Sequence, residues 1–341
     1  MLSTTNVGEL VIERADQITA RRQHWLWPKR IPLGSITTIA GVPGEGKSLV
    51  IADIASRVTQ AAEFPETENP LGEPGDVLVI SGEDDPETAL VPRLSVAGAD
   101  LARIHIVRSV ALAGKGEREF RLDQDIEKLQ LVLSENPKIR MVVLDPVTDS
   151  LGRIPMYKEQ EVRALLRPLR SPDIAVVLVA HLNKKEGLAA IHRVGGAGAF
   201  IGLARASWLL ATNPETKQRQ MLPLKNNYAA RATLGLIFEL EEVPLEIDGK
   251  IESIPRVKWL GESGADANDI LDVSTVRADA KAVAIEFLRE FLGGGPKEAN
   301  VVSEASKRRG ISERTLNRAK ADLRVHSSKD GTGATWTWSL R

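Results

Sequence analysis

The chain has 341 residues, 43% of them hydrophobic and 27% charged, with a net charge of −1. These are the proportions of a globular protein with room for two domains, because one core rarely outgrows about 250–300 residues. The absence of cysteine excludes disulfides and thiolate–zinc sites and fits a cytoplasmic protein. No apolar run reaches the about 18 residues that a membrane span needs, and MLSTTNVGELVIERADQ lacks the pattern of a secretory signal, so no membrane partner is expected.

From Ile36 onward, short apolar runs alternate with helical patterns. Strands are expected at Ile36–Ala40, Val77–Ser81, Ile104–Val107, Met141–Asp145, Ile174–Ala180, Ala206–Ala211 and Gln220–Leu224. Helices are expected at Lys47–Ala61, Pro86–Ala97, Gln124–Ser134, Lys158–Leu169 and Ala197–Ala204. Such alternation predicts an α/β fold whose largely parallel sheet is covered on both faces. More β structure follows at 232–260. The polar GESGADAND, 261–269, reads as the start of a linker.

Gly41-Val42-Pro43-Gly44-Glu45-Gly46-Lys47-Ser48 matches G-x-x-x-x-G-K-[ST] between a strand and a helix, the order that a phosphate-binding Walker A loop requires. Its backbone N–H groups, with those of Leu49 and the helix start, would cradle nucleotide phosphates. Lys47 supplies a point charge, and Ser48 offers a hydroxyl to magnesium. Asp145 ends the run MVVLD and is the natural partner of Ser48 as a Mg2+ ligand. Pro146 follows where many ATPases carry a glutamate, so the base must come from elsewhere. The run DVLVISGEDDPETAL provides it: Asp85-Pro86 suits a helix N-cap and first turn, and Glu83 just before them suits a water-activating base. Its strand is expected beside the phosphate loop.

Charge is distributed unevenly. Residues 276–341 hold 13 Lys/Arg against 8 Asp/Glu, net +5, whereas the remainder is net −6. The basic end reads as a helix carrying Ala282, Ile285, Phe287, Leu288 and Phe291, a second helix from Pro296 to Arg309, and a third N-capped by Ser312. On the third, Leu316, Ala319 and Leu323 face inward and Arg314, Asn317, Arg318 and Lys320 outward. RVHSSKDGTGATWTWSL then alternates around a glycine turn as a wing. The module resembles a winged helix-turn-helix domain, whose polar and basic helix would contact duplex DNA; a protein-docking wing is the alternative.

WLWPKRIPLGSITTIAGVPGEGKS, VLVISGEDDP, VVLDPV, VLVAHLNK and GGAGAFIGLARASWLL together make residues 20–260 resemble the RepA-like replicative helicases of plasmids and phages. These are RecA/DnaB-type P-loop ATPases, and the chain looks like them rather than like the AAA+ class. The resemblance implies ATP and Mg2+ as ligands, a homo-oligomer (a hexamer) and single-stranded DNA at the ring. His181 would then sense the γ-phosphate, and the basic stretch with Lys184, Lys185 and Arg193 would be the DNA-contacting loop. Arg205 or Lys225 would reach a neighbouring subunit's nucleotide, with more weight on Arg205 because Asn227 stands where the DnaB type has its arginine. The organisation expected is an N-terminal segment 1–34 packing on or between subunits, a RecA-like ATPase domain 35–262, a linker 263–275 and a winged helix 276–341. The function implied is an ATP-dependent DNA motor. A RecA-like ATPase that loads or regulates partners without unwinding and a non-catalytic nucleotide-gated DNA-binding regulator are the alternatives.

Overall fold

The computed structural model describes residues 11–67, 71–114, 116–183, 188–229, 233–329 and 335–340, without the side chains of 197, 272–280 and 314. A short antiparallel pair, β1 (Trp25–Trp27) and β2 (Ile31–Pro32), leads into β3 (Ile36–Gly41), the phosphate loop and α1 (Lys47–Gln60). Next come β4 (Asp76–Ser81), α2 (Val91–Ala97) and β5 (Ile104–Ile106). A small hairpin of β6 (Val110–Leu112) and β7 (Gly116–Arg118) precedes α3 (Leu122–Glu135). The chain continues through β8 (Ile139–Asp145), α4 (Val147–Ser150), α5 (Glu159–Leu166), β9 (Ala175–His181), α6 (Ala197–Leu203) and β10 (Ala206–Thr212). Two long strands, β12 (Gly235–Ile247) and β13 (Lys250–Ser263), follow β11 (Arg219–Asn226).

Nine of these strands form one sheet in the order β13-β12-β11-β10-β3-β9-β8-β4-β5. The six from β10 to β5 run parallel, and β11, β12 and β13 extend the sheet antiparallel. The parallel strands are apolar on both sides because both faces are covered. Val142, Leu144, Val176 and Leu178 pack with α3, α5 and α6, while the alternate residues Met141, Val143, Val177 and Val179 pack with Val50, Ile54 and Val58 of α1. This period of two sends successive side chains to opposite faces.

Two expectations need correcting. β4 does not lie beside the phosphate-loop strand: β9 and β8 stand between them, an offset of about 14 Å at the usual strand spacing. The stretch 263–275 is not an irregular linker either. Asp266 caps a helix by accepting from the Asn268 N–H, and α7 runs unbroken from Ala267 to Gly293. It can do so because no proline or glycine interrupts the segment before Gly293. Its first turns belong to the main core through Ala267, Ile270 and Leu271.

The end of α7 packs with β14 (Lys297–Glu298), α8 (Ala299–Arg308), α9 (Glu313–Asp322), β15 (His326–Lys329) and β16 (Trp336–Ser339). The helix expected from Pro296 thus begins three residues later, after a short strand that pairs with β16. Phe287, Leu288, Leu292, Val302, Leu316, Ala319 and Trp338 form this second core. Among the described residues no helix is long and apolar enough to cross a membrane.

Candidate nucleotide site

The phosphate loop owes its shape to its glycines. Gly44 and Gly46 have φ of +87° and +88°, a region that side chains disfavour, and a Cβ on Gly41 would stand 2.6 Å from the Leu210 carbonyl oxygen. Lys47, nearly buried, folds its Nζ back to donate to the Gly41 and Val42 carbonyls, each at 3.1 Å. Thr212 donates to Glu45 at 2.7 Å and steadies the loop from β10.

Asp145 sits at the tip of β8, 8% exposed, and its Oδ2 accepts from the Ser48 hydroxyl at 3.0 Å. Burial pushes its carboxyl up to about 6; the nearby carboxylates Asp84 and Glu83 push the same way, while Ser48 and Lys47 oppose them. Burial also holds Lys47 below the usual lysine range. Two oxygens with one cation beside them fit a divalent ion between Ser48 and Asp145 and a phosphate chain on Lys47.

The strand tips converge despite the intervening strands. The Gly82 N–H donates to the Asp145 carbonyl at 3.1 Å, and Glu83 Oε1 lies 3.5 Å from His181 Nε2 at the tip of β9. The three acids after Gly82 divide their tasks. Asp85 caps the next helical turns, accepting from the Glu87 and Thr88 N–H groups at 3.1 and 2.8 Å. Asp84 pairs with Arg93 of α2. Glu83 has His181 as its neighbour and faces a cavity of about 290 Å3 with Pro43, Gly46, Lys47, Ser48 and Asp145. His181 Nδ1 is buried without a hydrogen-bond partner among the described residues.

Arg93, Leu240 and Pro255 also line this cavity and escape a reading of the sequence. Arg93 leaves one trace, an arginine three residues after the buried Leu90. A larger groove of about 590 Å3 lies between α1 and β13. Arg57 is paired there with Asp53 and Arg256 with Glu241, and the phosphate loop and Asp145 line the smaller cavity, not this groove.

Other anticipated residues lie elsewhere. Arg205 and Lys225 sit at the opposite end of the sheet, where Ala206 pairs with Thr37; the phosphate-loop end is where Leu210 pairs with Gly41. Lys225 donates to the Ile201 carbonyl at 2.8 Å and caps α6, and burial, with Arg205 and Arg163 nearby, holds its pKa down. Arg193 departs from its expected place in an exposed loop. It is 9% exposed, because Leu182 bridges to Val194 and the Asn183 N–H donates to the Arg193 carbonyl at 2.7 Å, drawing the segment onto the core. Lys184 and Lys185 lie outside the described residues, as does the Arg314 side chain. On α9, Asn317 and Arg318 are exposed as expected. Lys320 is not free: its Nζ lies 4.0 Å from the centre of the Trp338 ring, a cation–π contact.

A glycine loop, a lysine and a strand-tip aspartate at the end of a mostly parallel sheet define a P-loop nucleotide-binding domain. Residues 3–187 match the family model described as AAA domain, more than half of the chain, and the chain belongs to that family of P-loop ATPases. The match agrees, at the level of the family, with the P-loop ATPase read from the sequence, and Pro146 after Asp145 and Glu83 beyond β4 stand as features of the site. The match ends before Arg205, Lys225 and the C-terminal elements. No curated protein matches the chain at a significant level.

Proposed function

We propose that the protein is an ATP-dependent DNA motor of the RepA-like replicative helicase type, with a winged helix at its C-terminal end. The observation that carries the reading is Glu83 set against His181 across the cavity from Lys47 and Asp145. Ser48 and Asp145 would hold Mg2+, which when bound offsets the charge of the β- and γ-phosphates. Lys47 exchanges its two carbonyl partners for phosphate oxygens. Glu83 accepts the proton of the attacking water, and His181 registers the γ-phosphate. Because Arg205 and Lys225 lie at the far end of the sheet, either could act only on a neighbour's nucleotide, which ties hydrolysis to assembly into a ring around single-stranded DNA. Exposed Asn317 and Arg318 on α9 and the β15–β16 hairpin suit duplex DNA.

A second reading, a RecA-like ATPase that loads or regulates partners without unwinding, is favoured by two findings. Burial of Arg193 and stacking of Lys320 remove two cations from the surface expected to meet DNA. Strand displacement on a forked duplex with ATP separates the two. A motor unwinds the fork with DNA-stimulated turnover, and stimulated turnover without displaced strand selects the loader. The absence of any turnover selects the non-catalytic regulator.

A further inference from the structure

The large sheet ends on β13, and much of that outer edge is blunted. Pro255 has no N–H to offer a neighbour. Beyond Trp259 the pairing with β12 slips, leaving Leu260, 47% exposed, as the extra residue of a bulge. Between these two stops lie Arg256, Val257, Lys258 and Trp259, a stretch of regular strand. In such a strand every second residue turns its N–H and C=O away from the partner. Among the described residues, no backbone hydrogen bond reaches these four from outside the β12–β13 pair.

The groove of about 590 Å3 runs along this window. Every residue from Arg256 to Gly261 lines it. Successive side chains of a strand point to opposite faces, so the space borders the edge of β13 and not one face of the sheet. An added strand takes about 4.8 Å in the sheet direction, about 10 Å in depth and about 3.3 Å in length per residue, or about 160 Å3. The groove therefore has room for about four residues, the length of the open window. Its floor is held in place: Trp259 Nε1 donates to Asp53 Oδ2 at 2.8 Å, and Trp27 stacks on Phe64 and meets Trp259 edge-on, with ring centres 5.2 and 5.7 Å apart. Arg57, Arg256 and Lys258 are already paired, with Asp53, Glu241 and Glu239. Across from β13, Glu63 and Glu66 are exposed and have no ion pair among the described residues.

We propose that this window receives an extended, basic segment of another protein, which adds to the sheet beside β13. Backbone bonds to β13 hold it, an apolar side chain rests on Phe64 and Trp259, and lysine or arginine side chains meet Glu63 and Glu66. The site lies apart from the nucleotide cavity and does not depend on the proposed function.

The probe is an eight-residue peptide that alternates lysine and valine, carries a dye, and is titrated into the full chain at low salt with fluorescence anisotropy as the readout. It should bind at least about fivefold tighter than its glutamate–valine counterpart, and methylation of alternate backbone nitrogens should weaken it about tenfold. Amide hydrogen exchange within 256–259 should slow when the peptide is added. Glu63→Lys with Glu66→Lys should reverse the preference between the two peptides and leave the melting temperature unchanged, since both side chains are exposed. No saturable binding, indifference to backbone methylation, or an unchanged preference in the double variant overturns the proposal. Exchange at 256–259 that already slows as the protein alone is concentrated would overturn it too, by giving the window to a second copy of the chain.

Discussion

Replacing Asp145 by asparagine should stabilise the nucleotide-free protein while abolishing hydrolysis. The carboxyl is pushed from 3.8 up to about 6 by burial, so ionising it in the folded chain is harder by about two pH units, or about 3 kcal/mol. A folded pKa above the unfolded one means that the group favours folding below about pH 4, and that this advantage is lost as pH rises through 6. At pH 7.5 the natural chain therefore bears the full strain of a buried carboxylate. Asparagine is neutral and keeps an oxygen to accept from Ser48, Lys47 retains the Gly41 and Val42 carbonyls, and the new amide N–H groups stand at the wall of the open cavity. Allowing for the loss of the Lys47 counter-charge, the expected gain at pH 7.5 is about 1–3 kcal/mol, shrinking toward zero near pH 4. Urea unfolding at both pH values, followed by tryptophan fluorescence from the buried Trp27 and Trp208, measures it. An asparagine variant that is less stable at pH 7.5, or a difference that does not change with pH, refutes the reasoning. In the natural chain, Mg2+-dependent nucleotide affinity should fall below about pH 6, because the ligand must be ionised.

Glu83→Gln should bind ATP as before and lose at least about 10²-fold in turnover, whereas Asp84→Asn, which releases Arg93 and removes one of the charges that push Asp145 up, should lose less; steady-state kinetics with the reverse order would reassign the base. Lys47→Ala and Arg205→Ala proteins, each inactive alone, should regain partial turnover when mixed, since each supplies what the other lacks. No recovery at any mixing ratio counts against a shared site. Asp125 accepts from Arg118 at 2.7 Å twice, from Lys128 at 2.6 Å and from the Arg121 N–H at 3.1 Å, and the Arg118 guanidinium holds its carboxyl well below the usual range. Its contribution is therefore full above about pH 4 and lost as pH falls through lower values; Asp125→Asn should cost about 1.5–3 kcal/mol at pH 7, and an unchanged unfolding midpoint would show the cluster to be inert.

The parts of this fold that show in the sequence are those that local chemistry encodes. The phosphate loop is legible because Gly44 and Gly46 occupy backbone conformations that other residues avoid, and Asp85-Pro86 because a cap and a first-turn proline are short-range devices. Strand existence follows from runs such as MVVLD, whereas strand order does not: nothing near Val77 states that β8 and β9 separate it from β3. For the same reason Leu240 and Pro255 reach the nucleotide cavity unannounced, from more than 190 residues along the chain. Arg193 and Lys320 mislead because a cation reads as solvated until its environment is known. The first is drawn in by a backbone bridge, and the second, on α9, finds an aromatic face on β16. The polarity of GESGADAND hides a helix start, since Asp266 caps with the same residue type that marks loops.

That helix start gives the chain a property that a loop would lack. With Ala267, Ile270 and Leu271 anchored in one core and Ala284, Phe287 and Leu288 in another, α7 makes the length of the connection also an angle. Each residue inserted between the anchors would advance the far end by about 1.5 Å and turn it by about 100°. A single insertion would thus swing α9 around the axis, and three or four would return it close to its original heading. The spacing between the anchors is therefore held by rotational phase, and variation in length within α7 should be tolerated only in steps of whole turns.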